Sequence, residues 1–377
     1  MTTLLFYCQH SVGLGHLMRS YALCAGLTEH FRVVLVCGGP VPSAIRPPEG
    51  VEIVALPPLG VGPDGRFGSH DPRLAVDEAW AVRRRRILAT FRAVRPGAVL
   101  VELFPFGRAK FARELVPLLE AARASGAPAA CSLRDILVSR RPDQQAHDDR
   151  ARALADAHLD VVLVHSDPRF ARLEESFAPA TPLAVPVRYT GFVARDPAAR
   201  RAPGPHVVVS AGGGRVGEPL LAAAAAAQSA VGVPMRLIAG PLLPEAAWQR
   251  LRAAVAGRPG IELLRSVPDL GAELRGAAGS VSQAGYNTAL EVLRSGVPAL
   301  LVPYATPEED EQLRRARRLE RLGAVRVLDP ADAEPAALAR EIERLPAFMP
   351  RPAAVDLDGA ARTAEILHEL VRLRAAA

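Results

Sequence analysis

Residues Gly279 to Gly323 read GSVSQAGYNTALEVLRSGVPALLVPYATPEEDEQLRRARRLERLG, and the order of signals inside this block decides the fold. A short apolar strand over 278–281 ends in the turn Gln283-Ala284-Gly285. A helix carrying Glu291 follows, stopped by Gly296-Val297-Pro298. A second buried strand, Ala299 to Pro303, then opens into a polar loop, Glu308 to Gln312, and another helix. Strands that alternate with helices pair in parallel, and the crevice at the carboxyl ends of such strands is where open α/β sheets hold ligands. The block therefore predicts a nucleotide or nucleotide-sugar site.

Outward from it, the same alternation fills the chain. Strands are expected at 3–9, 32–37, 51–55, 98–103, 128–132 and 161–165, with helices at 16–29, 73–95, 108–124 and 147–158. The pattern breaks around 187–206, where Pro- and Gly-bearing sequence suggests a linker, and restarts at His206. Further strands are expected near 235–239, 261–264, 278–281, 298–302 and 324–328, with a terminal helix at 358–374. At 377 residues the chain exceeds one ordinary hydrophobic core. The expected architecture is α/β, with two doubly wound Rossmann-like domains facing each other across a cleft. Their expected bounds are 1–194, a linker at 195–205, a second domain at 206–357 and a C-terminal helix at 358–377. Leu56 to Pro72, which includes His70 and Asp71, reads as a long loop of the kind that often serves function.

Composition removes several classes. The net charge is +6, carried almost entirely by arginine, since Lys110 is the one lysine. No basic stretch is interleaved with aromatics, so nucleic acid is not an expected partner. No apolar run reaches the length of a membrane span, and the first strand begins without a basic leader, so the expected location is cytoplasmic. Cys8, Cys24, Cys37 and Cys131 read as reduced core thiols. The histidines show no ligand spacing, so neither a metal nor a cofactor is expected. Arg83-Arg84-Arg85-Arg86 is the one dense basic run. It reads first as a solvated helix face and second as a weak peripheral contact with an anionic membrane.

Three motifs carry chemistry. Gly13-Leu14-Gly15-His16 follows the first strand directly. Its glycines permit a tight turn at a helix start, and His16 is the candidate general base. Gly212-Gly213-Gly214 follows the first strand of the second half and forms a backbone-amide cradle suited to a diphosphate, without the lysine of a Walker loop. In the opening block, Gly285, Asn287 and Thr288 begin a helix, and Glu291 is placed to hold a sugar diol; Glu311 and Gln312 are candidates for hexose hydroxyls, against a charged helix start as the plain alternative. Val267, in the turn before Asp269, is near a base edge, with Asp269 a cap candidate. Arg134-Asp135 and His165-Ser166-Asp167 end strands where acceptor groups would lie, with a salt-bridged loop and a helix cap as equal alternatives.

With these pieces in order, the chain resembles a GT-B glycosyltransferase. It is most similar to the branch containing the GlcNAc transferase of peptidoglycan lipid synthesis and related bacterial predicted glycosyltransferases. The resemblance rests on 278–323, Gly13 to His16, Tyr189-Thr190-Gly191 and Gly212 to Gly214. It implies diphosphate contacts at Gly212 to Gly214 and Gly285, uracil near Val267, ribose at Glu291 and hexose hydroxyls at Glu311 and Gln312. It implies an inverting, metal-independent hexosyl transfer from an NDP-sugar, with UDP the expected nucleotide, to an unidentified acceptor, with His16 as base. Ser11-Val12 stands where that family carries two more glycines. The stretch Gly13 to Arg19 also resembles the nucleotide-sugar hydrolase of pseudaminic acid synthesis, which leaves hydrolysis or epimerisation as the alternative. A non-catalytic nucleotide-sugar sensor is the third reading.

Overall fold

A computed structural model describes residues 1–10, 13–41, 45–62, 65–195 and 204–376. Its backbone packs as two units, one of Met1–Val12, His16–Ala194 and Val355–Ala377, the other of Gly13–Gly15 and Arg195–Ala354. Of the expected linker, 196–203 lies outside the described residues, as do Ser11 and Val12 of the first glycine motif.

The first unit is built on a parallel sheet of seven strands: β1 (Thr2–Cys8), β2 (Phe31–Cys37), β3 (Val51–Ala55), β6 (Ala98–Glu102), β7 (Ala129–Arg134), β8 (Val161–His165) and β9 (Val187–Tyr189). Their order is β3-β2-β1-β6-β7-β8-β9. β1, β2, β6 and β8 are buried along almost their whole length, which is why they read as continuous apolar runs. Helices α1 (Gly15–Leu27), α2 (Val76–Val94), α3 (Ala112–Ala124) and α4 (Gln144–His158) connect them. One core face gathers Leu5, Tyr7, Val99, Val101, Trp80, Ile87, Leu115 and Leu118.

The sequence expectations shift in three places. The loop expected over 56–72 contains a two-stranded antiparallel ribbon, β4 (Leu59–Val61) and β5 (Phe67–Ser69), in which Leu59 pairs Ser69. The break expected from 187 begins instead with β9, which adds to the edge of the sheet beside β8. Arg83 is not on a solvated face. It is fully buried and donates to Glu114 Oε2 (3.0 Å), the carbonyls of Gly38 and Pro57 (both 2.8 Å) and Gln9 Oε1 (2.8 Å). The cause is helical period: Ala79, Trp80, Arg83, Ile87 and Phe91 form the inward stripe of α2. Arg83 is thereby removed from any surface contact, while Arg84, Arg85 and Arg86 are exposed.

The second unit carries a parallel six-stranded sheet: β10 (Val207–Ser210), β11 (Met235–Ile238), β12 (Ile261–Leu264), β13 (Gly279–Ser282), β14 (Ala299–Leu301) and β15 (Arg326–Val327), in the order β12-β11-β10-β13-β14-β15. Its helices are α5 (Glu218–Val231), α6 (Glu245–Val255), α7 (Leu270–Arg275), α8 (Tyr286–Ser295), α9 (Glu311–Arg321) and α10 (Pro335–Arg344). The alanine run of α5 packs Ala224, Ala225 and Ala227 into the core with Val209, Leu237 and Val281. Both α5 and α8 end on a glycine in the left-handed region, Gly232 (φ 65°) and Gly296 (φ 67°), which supplies the helix stop.

The last helix, α11 (Gly359–Ala376), returns to the first unit. It approaches α1 closely enough that a Cβ on Gly26 would lie 2.9 Å from Ala360 Cβ, and Arg374 pairs with Asp160. The four cysteines are buried and unbridged. Among the described residues no helix is long and apolar enough to cross a membrane.

Candidate functional site

In a doubly wound sheet the strand order reverses at one point, and loops leaving the two strands there diverge to open a crevice. In the first unit that point lies between β1 and β6, which are hydrogen-bonded neighbours. His16, the second residue of α1, comes from the β1 side, and Glu102, the last residue of β6, comes from the other. His16 Nδ1 lies 2.6 Å from Glu102 Oε1. Arg19, one turn further along α1, donates to the same oxygen. Glu102 is wholly buried and Arg19 nearly so, while 19% of the His16 side chain is exposed. Among the described residues Glu102 Oε2 has no hydrogen-bond partner.

The electrostatics fix the protonation states. Burial alone would raise the Glu102 pKa, but His16, Arg19 and Arg108 hold it below the usual carboxylate range. Burial lowers the His16 pKa below 6.5, and the charges of Arg108 and Arg19 act in the same direction against the pull of Glu102. The pair at neutral pH is therefore a carboxylate accepting from a neutral imidazole. Its proton sits on Nδ1, leaving the Nε2 lone pair to accept another. Glu102 and Arg19 escaped the sequence reading. Their signals were present: one carboxylate ends the otherwise apolar strand AVLVE, and Arg19 stands three residues after His16, on the same helix face.

The weaker candidates stand on the next strands out. Arg134 closes β7 and Asp135 behind it is fully buried. His165 closes β8, with Nε2 2.7 Å from Ser132 Oγ and Nδ1 2.8 Å from Thr190 Oγ1. Asp167 pairs with Arg169 and accepts from Asp356 N (3.3 Å), tying the C-terminal segment to the first unit. Both ring nitrogens of His165 are thus engaged within the protein, and Asp167 serves as a turn anchor. Gly13 and Gly15 flank the start of α1, Gly15 being its first residue.

In the second unit the switch point falls between β10 and β13, whose register pairs Ser210 with Ser282. The loops leaving these two strands are the glycine motifs. Gly212 requires its identity, since φ is 70° there. A Cβ on it would lie 3.7 Å from Thr288 Oγ1, which places the loop beside the first turn of α8. Gly240, two residues beyond β11, packs so tightly under this loop that a Cβ would come 2.2 Å from Gly212 O. At Gly214 and Gly285, by contrast, an added Cβ would meet no atom within 4 Å. Packing does not demand glycine at those two positions. Helices α5 and α8 begin on Gly217 and Gly285 with no side-chain cap, so their first-turn amides present a partial positive charge at the switch point.

Asn287 and Thr288 lie in the first turn of α8, with Thr288 buried. Glu291, further along the same helix, is only partly open to solvent. Burial raises its pKa to about 7, with Asp269 adding to the effect and Arg195 and Arg275 opposing it. Val267 sits partly exposed between β12 and α7, and Asp269 caps α7 by accepting from Ala272 N (3.0 Å). Glu311 opens α9 and stands 4.0 Å from Arg315. Gln312 Oε1 accepts from the backbone amides of Ala284 and Tyr304, each at 3.1 Å. Among the described residues no group of three His, Cys, Asp or Glu is placed to hold a metal ion.

Comparison with known proteins bears on the fold and on the second unit's sequence. Residues 249–369 match the glycosyltransferase family 28 C-terminal domain. The UDP-N-acetylglucosamine–N-acetylmuramyl-(pentapeptide) pyrophosphoryl-undecaprenol N-acetylglucosamine transferase of Thermotoga maritima is 32% identical over 87 residues, which is 23% of this chain and 26% of that protein. The match thus spans about a quarter of the length of that curated relative. Among solved structures, MurG of Acinetobacter baumannii aligns with a TM-score of 0.57 at 16% identity, covering 97% of this chain and 99% of its own. The calicheamicin glycosyltransferase CalG4 aligns with a TM-score of 0.56 at 19% identity, covering 99% and 95%. The chain has the fold of the GT-B glycosyltransferases, and within it residues 249–369 match the glycosyltransferase family 28 C-terminal domain.

Proposed function

We propose that the protein is an inverting, metal-independent glycosyltransferase that moves a hexosyl group from a UDP-sugar to an acceptor hydroxyl. His16 takes the hydroxyl proton on Nε2 as the acceptor oxygen attacks the anomeric carbon and the bond to the nucleoside diphosphate breaks. Glu102 keeps the imidazole in the productive tautomer and stabilises the imidazolium that forms. The first-turn amides of α5 and α8 stabilise charge growing on the departing diphosphate, the role a metal ion plays in other transferases. Glu291 holds the ribose diol.

The observation that carries this reading is the 2.6 Å contact between His16 Nδ1 and a wholly buried Glu102. A histidine that merely packed against the sheet would not need an ionised partner at the strand-order reversal. The discriminating experiment is His16→Ala assayed with a panel of NDP-sugars and alcohol acceptors, with nucleotide binding followed by thermal shift. Abolished turnover with retained UDP stabilisation supports the base; unchanged turnover removes it. Free sugar as the sole product with every acceptor identifies a hydrolase in which His16 activates water. No stabilisation by any nucleoside diphosphate overturns the nucleotide reading altogether.

A further inference from the structure

We propose that Gln312 and Arg315 form a clamp that positions the Ala284–Gly285 peptide for a donor diphosphate, and that Gln312 does not accept a hydrogen bond from the hexose. The clamp rests on the nucleotide-sugar reading of the second unit, and it gives α9 a role that its sequence did not suggest.

Gln312 and Arg315 are three residues apart on α9 and so share one face of that helix. Gln312 Oε1 accepts from Ala284 N and from Tyr304 N, both at 3.1 Å. Those two amides belong to the loops leaving β13 and β14, which are adjacent parallel strands. A carbonyl oxygen offers two lone pairs, and both are used. Arg315 Nη1 donates to Ala284 O at 2.8 Å, so the N–H and the C=O of one residue are each held by α9. Ala284 is fully buried and Arg315 is 2% exposed, so the bond between them is shielded from competing water, while the two bonds to the partly buried Gln312 are less so. The guanidinium also lies over the Tyr286 ring at 5.8 Å, fixing the first residue of α8.

The held residue immediately precedes Gly285, the N-cap of α8, where the side-chain-free backbone meets no atom within 4 Å of an added Cβ. A glycine-flanked helix start is conformationally loose unless its flank is fixed. Anchoring Ala284 at both polar groups sets the direction in which the first-turn amides of α8 point before a ligand arrives, which is preorganisation. Gln312 keeps its NH2 group as a donor, but its acceptor capacity is spent within the protein.

The test uses the full chain, with Gln312→Ala and Gln312→Glu. Hydrogen exchange in the ligand-free protein reads the clamp directly. Ala284 and Tyr304 amides should exchange at least about tenfold faster in Gln312→Ala and regain protection in Gln312→Glu, which keeps the acceptor oxygen. Calorimetry with UDP, UDP-glucose and uridine reads its purpose. Gln312→Ala should weaken UDP and UDP-glucose by the same factor, about five- to tenfold, and leave uridine unchanged. Weakening of UDP-glucose alone would make Gln312 a hexose reader, and unchanged amide exchange would show that no clamp exists; either overturns the proposal. Failure of the wild type to bind UDP or UDP-glucose would instead overturn the nucleotide reading, a result the exchange data keep separate.

Discussion

Replacing Glu291 by glutamine should raise stability and lower nucleotide affinity at the same time, and both changes should depend on pH. The pKa of Glu291 rises from 4.5 to about 7, chiefly through burial. A raised carboxylate pKa means the folded state holds the proton more tightly than the unfolded state. The associated stability is fully present below about pH 4.5 and is lost as pH rises through 7. The full linkage is about 3 kcal/mol well above pH 7, reduced to about 1–2 kcal/mol because the side chain keeps some solvent access. A glutamine at this position carries no such charge, so the variant should match wild type near pH 5 and exceed it by about 1–2 kcal/mol at pH 8. For a unit of this size that is a Tm increase of about 3–6 °C. If the ionised carboxylate holds a ribose diol, the same substitution should weaken UDP about 10- to 100-fold at pH 8, the worth of a charge-assisted hydrogen bond. Wild-type affinity should fall between pH 8 and pH 6 by about tenfold more than that of the variant, whose response reports only protonation of the nucleotide. The assay is thermal unfolding and calorimetric titration of both proteins at pH 5, 6, 7 and 8. A Tm difference that does not grow with pH would refute the desolvated carboxylate, and unchanged UDP affinity at pH 8 would refute its place at the ribose.

Two other perturbations separate the chemistry of the first unit from its architecture. Glu102→Gln should cut kcat by about 10²–10⁴ while leaving UDP affinity unchanged, because it removes the charge that orients and stabilises His16. In the Glu291→Gln variant, which lacks the carboxylate that titrates near 7, the acid limb of kcat/KM should lie below the ordinary histidine value of 6.5, since His16 stays neutral as pH falls through that value; a limb at or above 6.5 would contradict the buried pairing. Arg83→Met should destabilise by about 3–5 kcal/mol, as it strands the fully buried Glu114, and the double variant with Glu114→Leu should recover much of the loss in chemical denaturation.

The strands and helices were legible because their causes are local. β1, β2 and β6 are continuous apolar runs, and α8 is bracketed by Gly285 and Gly296. Where the local pattern was weak, the reading slipped: β9 has three residues of mixed exposure and is fixed only by pairing with β8. The charged groups followed a different logic. Arg83 lay inside a run of four arginines, and composition favoured the surface; its burial depends on Glu114 arriving from α3, 31 residues away. Glu102 is 86 residues from His16, and the two meet only because β6, not β2, flanks β1 on that side of the sheet. Strand order is a property of the whole sheet and leaves no trace at either residue.

The same reasoning accounts for Gln312. Its position at a helix start after a strand suited a ligand contact, yet two neighbouring strand-end amides reach it first. A backbone N–H turned away from solvent must find an acceptor, and a side chain that supplies one is no longer available to accept from a substrate. For each polar residue at a strand end, the deciding question is therefore whether the protein's own backbone has already used its lone pairs. Glu102 keeps one oxygen unpartnered among the described residues, and the Gln312 carbonyl keeps no lone pair. On that criterion the Gln312 carbonyl serves the strand-end backbone beyond β13 and β14, which is why Gln312→Ala should weaken UDP and UDP-glucose by the same factor.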